Sequence, residues 1–287
     1  MLGISLDRES ARGSVTAFFV GAFAFTWLLQ LPGVLAQRGI LKGPVEPYLP
    51  FAMLGIFGPL VAATVLAARQ GGRPAVRELY SGLGRFRVPV TVVVVALFVP
   101  ALLQTFGLWL FRLAGREGPI VFVPGPERIV LGLVIALAEE VGWRGFALPR
   151  LQRRMHPFAA SGLIGVLWTF WHIPMFMGAG VPLSLLLVIT LQLVGGSLFY
   201  TWFYNRSGGS LLLAVLAHFC IHLDNPHSTL PGDTIPLLVS TVVYAALGLG
   251  LMLPSLKAPR PGSPVQAAAP RVEHRTGSKF DGSAIRA

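Results

Sequence analysis

Six residues carry groups that could do chemistry where chemistry is not expected: Glu139, Glu140 and Arg144 in one long apolar run, His172 in a second, and His218 and His222 in a third. Of twelve acidic residues, only Glu139 and Glu140 fall deep inside such a run. An ionised group at the centre of a bilayer costs at least about 2.5–3.5 kcal/mol, so charges kept there are candidates for function. Carboxylates and imidazoles can take a proton from water, donate to a developing oxyanion, hold a divalent metal or relay protons. On a helix, Glu140 and Arg144 share a face at a spacing of four, and Glu139 is turned about 100° from Glu140. This arrangement pairs Glu140 with Arg144 and leaves Glu139 for chemistry. The structural alternative is an ion pair with one spare carboxylate. His218 and His222 also share a helix face, as do Trp168 and His172. Any one of these histidines alone is more often a packed, hydrogen-bonded residue than a ligand.

The elements that must position these groups follow from composition. The 287 residues are 54% hydrophobic and 12% charged, and the mean hydropathy is +0.68, too little polar surface for a water-soluble globule. Windows of about 19 residues give eight apolar segments: 14–36, 48–68, 88–113, 129–148, 158–177, 181–204, 209–223 and 235–253. The expected fold is all-α, a polytopic membrane bundle of about eight transmembrane helices. At about 1.5 Å per residue from one bundle face, Glu139 lies ~16 Å deep, His172 ~21 Å, and His218 and His222 ~12 and ~18 Å. These depths share the middle layer of a core about 30 Å thick.

The net charge of +11 argues for topology rather than nucleic acid, because the basic residues fall in short runs between apolar segments with no aromatic interleaving. Seventeen of the 23 Lys and Arg residues fall on one side of the eight-span arrangement and five on the other, with Arg144 inside a span. Both termini are therefore expected in the cytoplasm, and the protein in the plasma membrane of a bacterium. Residues 1–13 read as a cytoplasmic N-terminus, 14–253 as the helical domain and 254–287 as a disordered basic tail rich in Pro, Ala, Gly and Ser. Val34-Leu35-Ala36 faintly resembles a cleavage site, but the apolar run before it is too long for a signal core and is kept as a span. The basic and apolar stretch from Arg73 to Arg87 suits a loop, either solvated or lying on headgroups. Cys220, the single cysteine, reads as packing. Gly142, Gly145, Gly162, Gly165, Gly195 and Gly196 suit close helix approach. Trp143, Trp168 and Phe170 suit either a cavity wall or a lipid face, and Trp171, about 100° from His172, favours lipid.

Three motifs in these segments resemble those of the CPBP intramembrane proteases, a family that includes CAAX prenyl endopeptidases and bacteriocin-processing or immunity-type relatives. The first is Glu-Glu-x-x-x-Arg, here Glu139-Glu140-Val141-Gly142-Trp143-Arg144, followed by Gly145-Phe146 and Leu148-Pro149. The second is an aromatic residue four before a histidine, usually Phe, here Trp168 and His172 with Pro174 beyond. The third is His-x-x-x-Asn or Asp, which here ends in histidine, His218 to His222, with Asp224 and Asn225 further along. The resemblance covers 127–225, the expected catalytic core.

The resemblance implies an endopeptidase that acts on a membrane-anchored protein or peptide within the lipid bilayer, with prenylated CAAX substrates as the family's type. It implies Glu139 as general base assisted by His172, Glu140 and Arg144 as the groups that tune it, and His218 with His222 as donors to the oxyanion. Glu139, His172, His218 and His222 equally form a nitrogen and oxygen set for a divalent metal such as Zn. A non-catalytic scaffold or immunity protein and a proton-coupled transporter are the alternative functions.

Overall fold

The computed structural model describes residues 2–86, 90–113, 115, 125–223 and 235–257. The chain opens with α1, Leu2–Gln37, whose apolar part from Ser14 is long enough to cross a membrane alone. Next come α2, Leu49–Gly55, and α3, Gly58–Ser81, which are bent by 48° relative to each other at Ile56-Phe57. The single span expected over 48–68 is therefore two helices. Pro59 sits in the first turn of α3, where a missing N–H breaks no helical bond, so the proline opens a helix rather than kinking one.

The loop expected over 73–87 is in large part helix, because α3 continues to Ser81 through a kink at Gly71 and Gly72. Gly72 takes φ +62°, a left-handed conformation that glycine adopts without steric penalty. Beyond the kink the helix turns back on the bundle. The Tyr80 and Thr64 hydroxyls meet at 2.7 Å across it, and Leu79 is buried.

Helix α4 spans Val90–Leu113. Helix α5, Pro126–Glu140, runs into a π-helical segment, Val141–Ala147, and then into α6, Leu148–Gln152. The expected span 158–177 is broken like the second one, into α7, Pro157–Trp171, and α8, Ile173–Gly178, with His172 at the joint and Pro174 in the first turn of α8. Helices α9, Leu186–Arg206, α10, Leu211–Leu223, and α11, Ile235–Met252, complete the bundle. Asp224, Asn225 and 258–287 lie outside the described residues.

The architecture is the expected all-helical membrane bundle. Among the described residues, two segments are long and apolar enough to cross by themselves, 14–37 and 183–206, and the bent pair α2 and α3 makes a third. Helices α7, α10 and α11 are apolar but shorter. Helix α9 packs between α7 and α11, α10 packs on α5 and α4, and α1 packs on α3 and α8.

The distribution of polarity is that of a protein in lipid. Leu183 is 85% exposed and Leu28 74%, whereas Glu139 is 2% exposed and Glu140 and Arg144 are 0%. The charges of the Glu-Glu-x-x-x-Arg segment face inward, while leucines such as these face out.

Candidate active site

The Glu-Glu pair ends α5 at the point where the backbone widens into the π-helical segment. Such segments arise where an extra residue is accommodated in a helix, and they recur at functional sites. Within this segment Gly142 lets α3 come close. A Cβ at Gly142 would lie 2.5 Å from the Pro59 Cβ and 2.8 Å from its carbonyl carbon.

The expected pairing of Glu140 with Arg144 is present, with Arg144 Nη1 donating to Glu140 Oε1 at 2.9 Å and both groups buried. The opposite edge of the guanidinium is held as well. Arg144 Nη2 donates to the Ser197 carbonyl at 3.2 Å and to its hydroxyl at 3.1 Å. Ser197 Oγ then donates to the Ser161 carbonyl at 2.8 Å, and Thr201 Oγ1 donates to Ser161 Oγ at 2.9 Å. A buried ion pair gains from partners for its remaining donors and acceptors. Here α9, backed by α7, supplies partners for Nη2, whereas Arg144 Nε and Glu140 Oε2 are buried with no hydrogen-bond partner among the described residues. Ser161, Ser197 and Thr201 escape a motif-based reading because single hydroxyl residues are common in membrane helices.

Glu139 is not left unpartnered, as its separation from Arg144 suggested. One oxygen, Oε2, accepts from the Trp168 indole N–H at 2.5 Å and from the Trp143 indole N–H at 3.4 Å. The tryptophan that stands where the family usually has phenylalanine thus binds the carboxylate directly.

His218 comes to the same place from α10. Its Nδ1 lies 2.8 Å from Glu140 Oε1, and its ring stacks on Tyr200 with centroids 5.2 Å apart. His222 follows one turn on, its Nε2 3.1 Å from His218 Nε2. Gly132 of α5 seats it, since a Cβ there would lie 2.9 Å from the His222 Cβ. A carboxylate beside Nδ1 requires an N–H at that nitrogen, so neutral His218 is an acceptor at Nε2 and His222 supplies the proton of their contact.

His172 sits at the joint of α7 and α8, with Nδ1 2.8 Å from the Trp168 carbonyl. That nitrogen must donate, which leaves the Nε2 lone pair as the reactive position of the neutral ring. Trp168 therefore links the two residues, binding Glu139 through its indole and His172 through its carbonyl.

One oxygen of Glu139 and one nitrogen each of His218 and His222 lie within 4.8 Å of one another. His172 stands outside this group, so the four-residue metal set expected from sequence reduces to three. Two imidazoles and a carboxylate suit a zinc-type ion, and Glu140 behind His218 is the outer carboxylate that such sites use to orient a ligating imidazole. The donor set fits a divalent metal.

Trp171 corrects another expectation. It is buried rather than lipid-facing, donating from Nε1 to Thr26 Oγ1 at 2.7 Å, and Thr26 passes the bond to the Gly55 carbonyl at 2.7 Å. Trp171 is the last residue of α7, and its indole meets α1, a neighbour that a helical wheel of one segment omits. Phe170 is exposed. Of the glycines, Gly165 and Gly195 let backbones approach closely, whereas Gly162 has nothing near it.

An inward-facing carboxylate and imidazole cluster in an all-helical membrane bundle marks a functional site inside the membrane and suits a membrane-embedded enzyme of hydrolytic type, and the matches to known proteins are to that class. Residues 119–223 match the family described as type II CAAX prenyl endopeptidase Rce1-like, a segment that contains all six candidate residues. The chain is also similar to the CAAX prenyl protease 2 of Methanococcus maripaludis, at 25% identity over 235 residues, covering 76% of this chain and 86% of that protein. The resemblance read from the three motifs is upheld by both matches.

Proposed function

We propose that the protein is an intramembrane endopeptidase that hydrolyses a peptide bond near the membrane anchor of a protein or peptide, with prenylated CAAX-type substrates as the leading class. The observation that carries this is the convergence of Glu139, His218 and His222 within 4.8 Å in the bundle interior, inside the segment that matches the endopeptidase family.

In this reading Glu139 takes a proton from water as the oxygen attacks the scissile carbonyl, and returns it to the leaving amine. Trp143 and Trp168 hold the carboxylate in place. His172, its Nδ1 fixed by the Trp168 carbonyl, presents Nε2 to orient the water. The His222 Nε2–H, which meets His218 Nε2 before substrate binds, turns from that lone pair to the oxyanion, a contact of the kind worth about 2.7–4 kcal/mol per donor. Glu140 and Arg144 are positioning residues that hold His218 and the helix end.

Glu139, His218 and His222 are the residues that would hold a divalent metal, which when bound would activate water and polarise the carbonyl. The asymmetry of basic residues supports an orientation with both termini in the cytoplasm.

The test is cleavage of a lipid-anchored peptide by the purified protein in vesicles, with products identified by mass. Wild-type cleavage that is lost in His218→Ala supports the reading. A wild-type protein that cleaves nothing yet moves protons or solutes across the vesicle contradicts it. Metal content and activity with and without a chelator then decide whether side chains alone suffice.

A further inference from the structure

At the basic face of the bundle, the end of α3, the π-helical segment with α6, and the turn between α9 and α10 border a cavity of about 330 Å³. Its lining includes Glu78, Arg85, Arg150, Arg153 and Tyr204, so that three guanidinium groups face one carboxylate. Two of the arginines are fixed in place. Arg150 is half-buried, with its guanidinium 3.6 Å from the centroid of the Phe146 ring, Nη1 donating to the Phe146 carbonyl at 3.0 Å and Nη2 to Gln70 Oε1 at 3.4 Å. Arg85 Nη1 donates to the Gly208 carbonyl at 2.7 Å, and the Arg85 carbonyl accepts from Ser210 Oγ at 2.9 Å.

The positive charges are poorly matched by the protein itself. Glu78 lies 3.7 Å from Arg85 Nη2 and is 78% exposed, a weak surface pair. Among the described residues, neither Arg150 nor Arg153 pairs with a carboxylate. Burial and the neighbouring Arg153 charge both lower the Arg150 pKa from its usual value, and an anion in the cavity would offset both.

We propose that this cavity binds the phosphate of an anionic phospholipid from the cytoplasmic leaflet, held by Arg85, Arg150 and Arg153, with the Tyr204 hydroxyl as a further donor. Planar guanidinium groups match phosphate oxygens with parallel hydrogen bonds, and a cavity of this size takes a headgroup. A dissolved phosphate ion offers the same chemistry, but the depth of the site favours the lipid. At about 1.5 Å per residue, the stretch from Glu139 to Arg150 is ~16 Å of helix, half of a core about 30 Å thick. With Glu139 in the middle layer, the arginines stand at the headgroups. All three belong to the side of the bundle with the excess of Lys and Arg, the side that faces the anionic cytoplasmic leaflet. Phe86, next to Arg85, is 71% exposed and supplies an apolar anchor at the same level. A bound headgroup ties the end of α3 to the segment that carries Arg144, and so stabilises the surroundings of the site without touching the reacting atoms.

The experiment follows thermal unfolding of the full-length protein in neutral detergent, titrated with phosphatidylglycerol, with phosphatidylcholine or with inorganic phosphate. The proteins are the wild type, Arg153→Gln, and Arg77→Gln, which removes an exposed arginine of α3 outside the cavity lining. Expected is a rise of about 5 °C or more in the wild-type melting temperature with phosphatidylglycerol alone. In Arg153→Gln the lipid content needed for the same rise is about tenfold higher, whereas Arg77→Gln titrates like the wild type. Equal shifts with the two lipids overturn the proposal. So does an Arg153→Gln variant that titrates like the wild type, or equal weakening in both variants, which marks attraction to net charge alone. A full shift from inorganic phosphate at matched concentration overturns the lipid assignment in favour of the free ion.

Discussion

His218 Nδ1 lies 2.8 Å from Glu140 Oε1, so the carboxylate next in sequence to Glu139 fixes the tautomer of an imidazole on a different helix. The same oxygen takes the Arg144 hydrogen bond. Glu140→Gln leaves the Arg144 charge buried and uncompensated, a loss on the order of 3–5 kcal/mol. Expected are a large fall in thermal stability in detergent and at least a tenfold loss of peptidase activity. A variant with wild-type stability and activity would show that the ion pair positions nothing.

Trp168→Phe tests the indole hydrogen bond to Glu139. The substitution keeps an aromatic ring and removes one N–H, worth about 1 kcal/mol and up to about tenfold in kcat. A reduced kcat with little change in unfolding temperature is expected. An unchanged kcat contradicts a role for the indole in holding the carboxylate.

His222 contributes a donor, and an amide can donate too. His222→Asn is expected to retain kcat/KM within about tenfold, whereas His222→Phe, which fills similar space without an N–H, loses at least about 100-fold. Equal activities in the two variants would rule out oxyanion donation by His222.

Two glycines in neighbouring helices separate close approach from mere composition. Gly142→Ala drives a methyl group into Pro59 and is expected to destabilise by about 1–3 kcal/mol. Gly162→Ala meets no neighbour and is expected to stay within about 0.5 kcal/mol of wild type. The comparison is read from paired thermal melts in detergent, and equal melting shifts would contradict the packing at Gly142.

Much of this site is legible in the sequence because its logic is local. The spacing of four residues predicts the Glu140 to Arg144 pair and places His218 above His222, and both relationships are present. Polarity against apolar surroundings marks the helices, and the motifs mark the core.

What the sequence conceals depends on helix breaks and on partners distant in the chain. Pro59 and Pro174 each read as interruptions within a span, yet each opens a new helix, and Trp171, just before the second break, meets Thr26 of α1, a partner 145 positions away. The π-helical segment has no periodicity of its own to detect. Ser161 and Ser197 support Arg144 only because α7 and α9 meet. No spacing rule joins residues 36 positions apart.

The most direct measurement is the rate at which Glu139→Gln, purified and reconstituted in vesicles, cleaves a lipid-anchored peptide that the wild type cleaves. Glutamine preserves size and can still accept from Trp168, but it cannot take a proton from water. A fall of about 10²- to 10⁴-fold with unchanged thermal stability is the expected result. Cleavage at the wild-type rate would contradict the central claim that Glu139 is the base of a membrane-buried hydrolytic site.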